Sequence, residues 1–291
     1  MKKRPKILIT NDDGIHAPGI RHLWNALKDA ADLVVCAPST EQSAVALSIS
    51  IRKPLQIQKI DWHAPIAHHH DKEEHINAAT WAISGTPADC IKLGLNVIFE
   101  NETPDLIVSG INRGTNAGRN VLYSGTVAGA IESVMHDIPA IAFSACDFTN
   151  PNYGDFEQYV PQIVEHVLKN PLPKGTLLNV NFPGKEHSVI NGFRLTRQGK
   201  QFWVESLDKR THPAEGSDYY WLGAKIAEFD EHHESDIYWL EKGYITAVPV
   251  HVSELTDHHY LSTHKESFEQ LNLEADAKRL NELKNGLKIK L

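Results

Sequence analysis

Two adjacent carboxylates, Asp12 and Asp13, stand just after the apolar run Ile7-Leu8-Ile9. Like charges at that spacing repel, and burying either one is costly unless a cation lies between them. An apolar run closed by a polar turn is the pattern of a central parallel strand buried on both faces. Ligands of open α/β sheets bind at the carboxyl ends of such strands. Asn11-Asp12-Asp13-Gly14 is therefore a candidate divalent-metal site, although the same residue types also suit a plain turn. Two later loops add oxygen donors, a hydroxyl at Ser43 within Ser39–Ala44 and an amide at Asn112 within the Gly- and Asn-rich stretch Ile111–Asn120. An all-oxygen set of this kind suits Mg²⁺ or Mn²⁺ and does not suit zinc.

A fourth stretch, Tyr123-Ser124-Gly125-Thr126, opens a helix running to about His136. Gly125, Ala128 and Gly129 permit close backbone approach. Ser124 and Thr126 bring hydroxyls to a helix N-terminus, where free N–H groups and the dipole favour phosphate. An ordinary N-cap serine accounts for Ser124 equally well. A cation beside a phosphate cradle supports metal-assisted phosphate-ester hydrolysis, with charge on the phosphoryl oxygens stabilised and a water activated for attack.

The elements that must position these residues follow in alternation. Apolar spacings of three and four after Gly14, with Pro18 in the first turn, predict a helix. Asp32–Pro38 reads as a second buried strand, which completes a βαβ unit. No Gly-x-Gly-x-x-Gly separates strand from helix, so a dinucleotide fingerprint is missing. Leu47–Ile57 alternates apolar and polar residues around Pro54, which predicts an edge strand or hairpin. Thr86-Pro87-Ala88-Asp89 has the form of a capped helix start, and capping fully explains Thr86 and Asp89. Strands are expected at Trp81–Gly85, Pro104–Gly110, Ile138–Ser144 and Thr176–Pro183, with a helix at Tyr159–Leu168. The fold class is α/β, a Rossmann-like doubly wound and mostly parallel sheet over about residues 1–200. Beyond it, an aromatic run at Tyr219–Trp221, a strand at Gly243–Val250 and a helical tail at Phe268–Leu287 predict a projecting β-hairpin and helix extension, about 201–291. Such an extension commonly packs on another subunit.

The chain has 291 residues, 41% of them hydrophobic, and a net charge of −8 with histidines neutral. A nucleic-acid-binding surface would need a basic excess. Cys36, Cys90 and Cys146 are widely spaced and read as reduced core residues. No apolar run reaches spanning length, and the basic N-terminus lacks a signal-peptide core, so a cytoplasmic location with no membrane partner is expected. His68-His69-His70 is read as part of a solvated loop, since adjacent side chains do not converge on one point.

Several blocks occur together in order. They are Thr10-Asn11-Asp12-Asp13-Gly14 with Ala17-Pro18-Gly19, Ala37-Pro38 through Gln42-Ser43, Ser84-Gly85-Thr86-Pro87, Ser109-Gly110-Ile111-Asn112 with Gly114-x-Asn116-x-Gly118, and Tyr123-Ser124-Gly125-Thr126-Val127. In these blocks the chain resembles the stationary-phase survival protein SurE family of metal-dependent nucleotidases. Weaker similarity continues through Asn179–Pro183 to Thr246–Pro249. The resemblance implies a single domain over 1–291, hydrolysing nucleoside 5′- and 3′-monophosphates and also short polyphosphate. It implies one divalent cation per subunit, Mg²⁺ or Mn²⁺, held by Asp12, Asp13, Ser43 and Asn112. It implies a phosphate pocket of Asn116, Ser124, Gly125 and Thr126, with Asp12, Asp13 and Asn116 as the catalytic group. It also implies a homodimer or homotetramer formed through the C-terminal extension. The chain departs from the family pattern in a longer Asp61–His75 segment and in Ser43-Ala44 where Ser-Gly is usual.

Two other readings use the same residues. A phosphatase in which Asp12 attacks phosphorus would want Asp-x-Asp-x-Thr, whereas adjacent carboxylates on an extended chain point to opposite faces. A non-catalytic nucleotide-binding module would need the pocket without an open metal position.

Overall fold

The N-terminal apolar run forms strand β1 (Lys6–Thr10), and its side chains alternate between two cores. Ile7 and Ile9 pack with Ile20, Leu23 and Leu27 of helix α1 (Pro18–Leu27), while Leu8 packs on the opposite side of the sheet. This period of two, apolar on both faces, is what burial between two helical layers demands. The computed structural model describes residues 4–62, 79–100, 102–187, 189–223, 225–227 and 229–287. His68, His69 and His70 lie outside them.

Strand β2 (Asp32–Pro38), the short β3 (Ile57–Lys59) and β4 (Ala79–Ile83) precede helix α2 (Pro87–Leu93). Strand β5 (Leu106–Arg113), helix α3 (Gly125–Met135), strand β6 (Ala140–Ala145), helix α4 (Val160–Lys169) and strand β7 (Thr176–Phe182) continue the alternation. After these come β8 (Phe193–Leu195), β9 (Trp203–Val204), the hairpin β10 (Asp208–Thr211) with β11 (Asp218–Trp221), β12 (Lys225–Ile226), helix α5 (Asp236–Leu240) and β13 (Ile245–His251). Among the described residues the main sheet has the order β3-β4-β2-β1-β5-β6-β7-β13-β8. Its six central strands, β4 to β7 in that order, are parallel; β3 is antiparallel to β4 and β13 to β7, while β8 runs parallel to β13. Helices α1 and α4 cover one face, and α2 and α3 the other. From β1 the chain winds outward through β2 and β4, then returns to β5 on the other side of β1. That reversal is the switch point where such sheets open a crevice.

Two expectations are corrected. The alternation over Leu47–Ile57 makes no strand before Ile57, because capping residues of α2 claim its backbone. The Thr86 hydroxyl donates to the Ser48 carbonyl (2.6 Å), and the Ser50 N–H donates to Asp89 Oδ1 (2.9 Å). Thr86 and Asp89 also form the expected capping box. Strand β5 does not stop at Gly110. A break in register between Ser109 and Asn112 lets it continue to Arg113.

The chain divides into two compact units, Met1–Ser253 and Glu254–Leu291. The second contains helix α6 (His258–Leu287), on which Leu261, Phe268, Leu271, Leu280 and Leu283 are exposed. Among the described residues no helix is long and apolar enough to cross a membrane.

Gly19, in the first turn of α1, lies against β5. A Cβ there would stand 1.9 Å from the Ile111 carbonyl oxygen. Gly19→Ala is expected to cost about 1–3 kcal/mol of stability through overpacking, read by urea denaturation. An unchanged midpoint would show that α1 and β5 can separate freely.

Candidate metal centre

Asp12 and Asp13 follow β1 at the switch point, and the adjacent positions on an extended chain send them different ways. Asp12 turns inward and is only 5% exposed. Its Oδ1 accepts a hydrogen bond from the Thr126 hydroxyl at the start of α3. Gly125 makes this approach possible, since a Cβ there would lie 2.8 Å from Asp12 Cβ and 3.1 Å from the Gln42 carbonyl oxygen. Burial, and then the charge of Asp13, push the Asp12 carboxyl up to about 7, against the lowering hydrogen bonds of Thr126. Asp13 is half-buried and lines an open cleft. Its Oδ2 accepts the Arg113 N–H (3.1 Å). Burial also raises Asp13, offset in part by that bond and the Arg113 charge.

The other two predicted donors come from flanking loops. The Gln42 N–H donates to the Asp12 carbonyl (2.7 Å), which ties the loop after β2 to the end of β1. Ser43 is exposed, and its hydroxyl donates to Glu41 Oε1 (2.6 Å). Asn112 follows the register break of β5, where Gly110 has φ +131°. A Cβ on Gly110 would meet the Phe143 carbonyl oxygen at 2.3 Å, so glycine is required twice over. A bulge of this sort re-aims the residues beyond it. The Asn112 Nδ2 then donates to the Gly114 carbonyl (2.7 Å), which spends the amide donor locally and leaves Oδ1 as the acceptor to turn elsewhere.

Hydrogen bonds thus join the three loops at residues beside or within the predicted set. The donors are oxygens, two of them carboxylates disfavoured as a charged pair. A hard divalent cation relieves both the repulsion and the desolvation at once. The residues fit such an ion.

The predicted phosphate residues have local partners too. Ser124 caps α3, its Oγ accepting the Val127 N–H (3.0 Å). The Thr126 hydroxyl proton is committed to Asp12. Asn116 is buried, its Nδ2 donating to the Ser144 hydroxyl (2.8 Å), and Asn181 and Asn179 hold its backbone N–H and carbonyl at 2.9 Å each. The N-terminus of α3 serves Asp12 directly.

Next to Asp13 the cleft encloses about 840 Å³. Its walls include His22, Glu41, Arg113, Tyr153 and Lys185, none of them among the predicted site residues. Glu41 and Arg113 stand one or two positions from predicted ligands, so proximity in sequence was a usable signal for them. Tyr153 enters from the segment after β6 and stacks on His22 (5.6 Å between ring centroids), and no spacing in the sequence marks it.

The chain as a whole is similar to known proteins. Residues 7–205 match the family described as Survival protein SurE. A protein of Protochlamydia amoebophila named 5′-nucleotidase SurE is 54% identical over 92% of this chain and 98% of its own length. A protein of the same name from Christiangramia forsetii is 42% identical over 89% of this chain and 95% of its own. The crystal structure of the SurE protein from Aquifex aeolicus covers 90% of this chain and 99% of its own, with a TM-score of 0.75 at 37% identity.

A linkage prediction follows from Asp12. Its folded value, about 7, lies above the ordinary 3.8, so the folded chain binds the extra proton between those values. The resulting stability is fully present below about 3.8 and is lost as pH rises to about 7. In EDTA the melting temperature should therefore carry a falling contribution across that window. Saturating Mg²⁺ competes with the proton, so the gap between Mg²⁺ and EDTA melting curves should widen toward pH 7. A gap that does not depend on pH would contradict this account of Asp12.

Proposed function

The chain belongs to the Survival protein SurE family, and from that premise we propose that it is a divalent-metal-dependent 5′-nucleotidase, releasing phosphate from nucleoside monophosphates. The observation that carries the reading is the pair Asp12–Asp13 at the switch point of the sheet, one carboxylate anchored inward and the other facing a cleft large enough for a nucleotide. The names of the relatives support the same reaction. Nucleoside 3′-monophosphates and short polyphosphate are included in the proposal, since their reacting group is the same terminal phosphoryl.

Asp12, Asp13, Ser43 and Asn112 would hold one Mg²⁺ or Mn²⁺ per subunit. When bound, such a cation neutralises phosphoryl oxygens and assists attack by water. Thr126 fixes the orientation of Asp12 and shares its charge. Asp13 lines the cleft where Asp12 does not, which supports its carboxylate as the acceptor of a proton from an entering water. Asn116 braces the loop that follows Asn112 through its bonds to Ser144, Asn179 and Asn181. Ser124 and Gly125 set the closeness of α3 to Asp12, and through it frame the phosphate side of the site. The burial of Asp12 disfavours the rival in which it attacks phosphorus. The exposed aromatics of β11, Tyr219, Tyr220 and Trp221, together with the apolar residues of α6, support a homodimer or homotetramer.

Phosphate release from AMP tests the reading. EDTA should abolish it and added Mg²⁺ or Mn²⁺ restore it, and Asp13→Asn should lower turnover by about 100-fold or more while leaving circular dichroism unchanged. Full activity in EDTA would overturn the proposal.

A further inference from the structure

Arg113 has a place that the reaction as described leaves unused. Its backbone N–H donates to Asp13 Oδ2 at 3.1 Å, so the residue is tethered beside the carboxylate that faces the cleft. Its guanidinium lies over the Phe148 ring, 4.9 Å from the centroid. One nitrogen, Nη2, donates to Glu41 Oε1 at 3.2 Å. The side chain is 40% exposed and lines the same cleft as Asp13. Of the other cationic candidates on that wall, His22 is paired with Glu157 Oε1 at 2.5 Å, and Lys185 comes from the segment after β7 with no tether to Asp13 among the described residues.

Three features of Arg113 suit it to a phosphoryl group. The guanidinium has five donors in a planar fork, of which the Glu41 contact takes one. Stacking on Phe148 holds that plane without consuming a donor. The ion pair with Glu41 is exposed on both sides, so it is weak and readily exchanged for a doubly charged phosphate.

We propose that Arg113 is a further catalytic residue, whose guanidinium leaves Glu41 to bind two non-bridging oxygens of the phosphoryl group presented beside Asp13. This rests on the reading of the site as a phosphomonoesterase. Charge grows on those oxygens as the bond to water forms and the ester P–O bond breaks, and a fixed cation there lowers the barrier. The guanidinium donates hydrogen bonds throughout and gives up no proton. The proton of the water goes to Asp13, and the leaving alkoxide takes one from solvent. Glu41 keeps the guanidinium in place while no phosphoryl group is bound.

The test uses the full chain at saturating Mn²⁺ with Arg113→Ala, Arg113→Lys and Glu41→Gln. Inorganic phosphate binding is measured by equilibrium dialysis, Mn²⁺ affinity by electron paramagnetic resonance, and kcat/KM with both AMP and p-nitrophenyl phosphate. Arg113→Ala should weaken phosphate about tenfold and lower kcat/KM about 100-fold for both esters, with Mn²⁺ affinity unchanged. Arg113→Lys should recover only part of this, because an ammonium cannot bridge two oxygens. Glu41→Gln should keep phosphate affinity within about threefold, since the latch and not the clamp is removed. Loss confined to AMP would overturn the proposal by placing Arg113 on the nucleoside. Parallel loss of Mn²⁺ affinity, or an equal loss in Glu41→Gln, would overturn it by reducing Arg113 to a brace. A wild-type chain that binds phosphate through Arg113 but hydrolyses neither ester would sink the phosphomonoesterase reading alone.

Discussion

The structure depends on an electrostatic conflict that the fold itself creates. Placing two neighbouring carboxylates at the end of a fully buried strand forces one of them into the protein. Asp12 takes that position, and the start of α3 is brought against it at a distance only glycine allows. The Thr126 hydroxyl and the N-terminus of α3 then offset part, and only part, of the hydration that Asp12 has lost. Asp13 keeps its face to the cleft because its partner has gone inward. The difference in burial between two chemically identical groups comes from their surroundings alone.

The second constraint is the register break in β5. Without it, Asn112 and Arg113 would continue the regular alternation of Leu106–Ser109, with side chains sent into the two cores. The break, permitted by the positive φ and the bare Cα of Gly110, brings the Arg113 N–H onto Asp13 and the Asn112 amide onto the Gly114 carbonyl. The same short segment thereby carries a side-chain amide, a backbone donor to Asp13 and a guanidinium within two positions. Two flanking loops are joined across this point, for Glu41 accepts from both Ser43 and Arg113.

Much of this was legible in the sequence, and the parts that were not share a cause. The two-faced apolar runs announced the central strands, and the polar ends of those runs put Asp12 and Asp13 just past β1 and Asn112 at the end of β5, where the structure has them. The capping signature of Thr86 and Asp89 marks the start of α2, but it does not reveal how far those side chains reach. Those same side chains seize the backbone of Ser48 and Ser50 and deny Leu47–Ile57 the strand that its alternation suggested. Thr126 carried the signal of a helix start, whereas its hydroxyl serves a carboxylate 114 positions earlier. Periodicity reports which face a residue occupies. It does not report what stands opposite that face when the partner lies a hundred residues away.

The sheet has one further consequence, for the order in which the chain can be made safe. β13 pairs along all but the last residue of β7, from Thr176 to Asn181, yet follows it only after the whole excursion through β8 to α5. Until Ile245–His251 has been synthesised, β7 presents a bare rim of backbone donors and acceptors, flanked by side chains destined for burial. Such a rim is a template for pairing with any other nascent copy. The late strand is thus a seal on a half-finished molecule, and a chain truncated before it would be drawn toward aggregation.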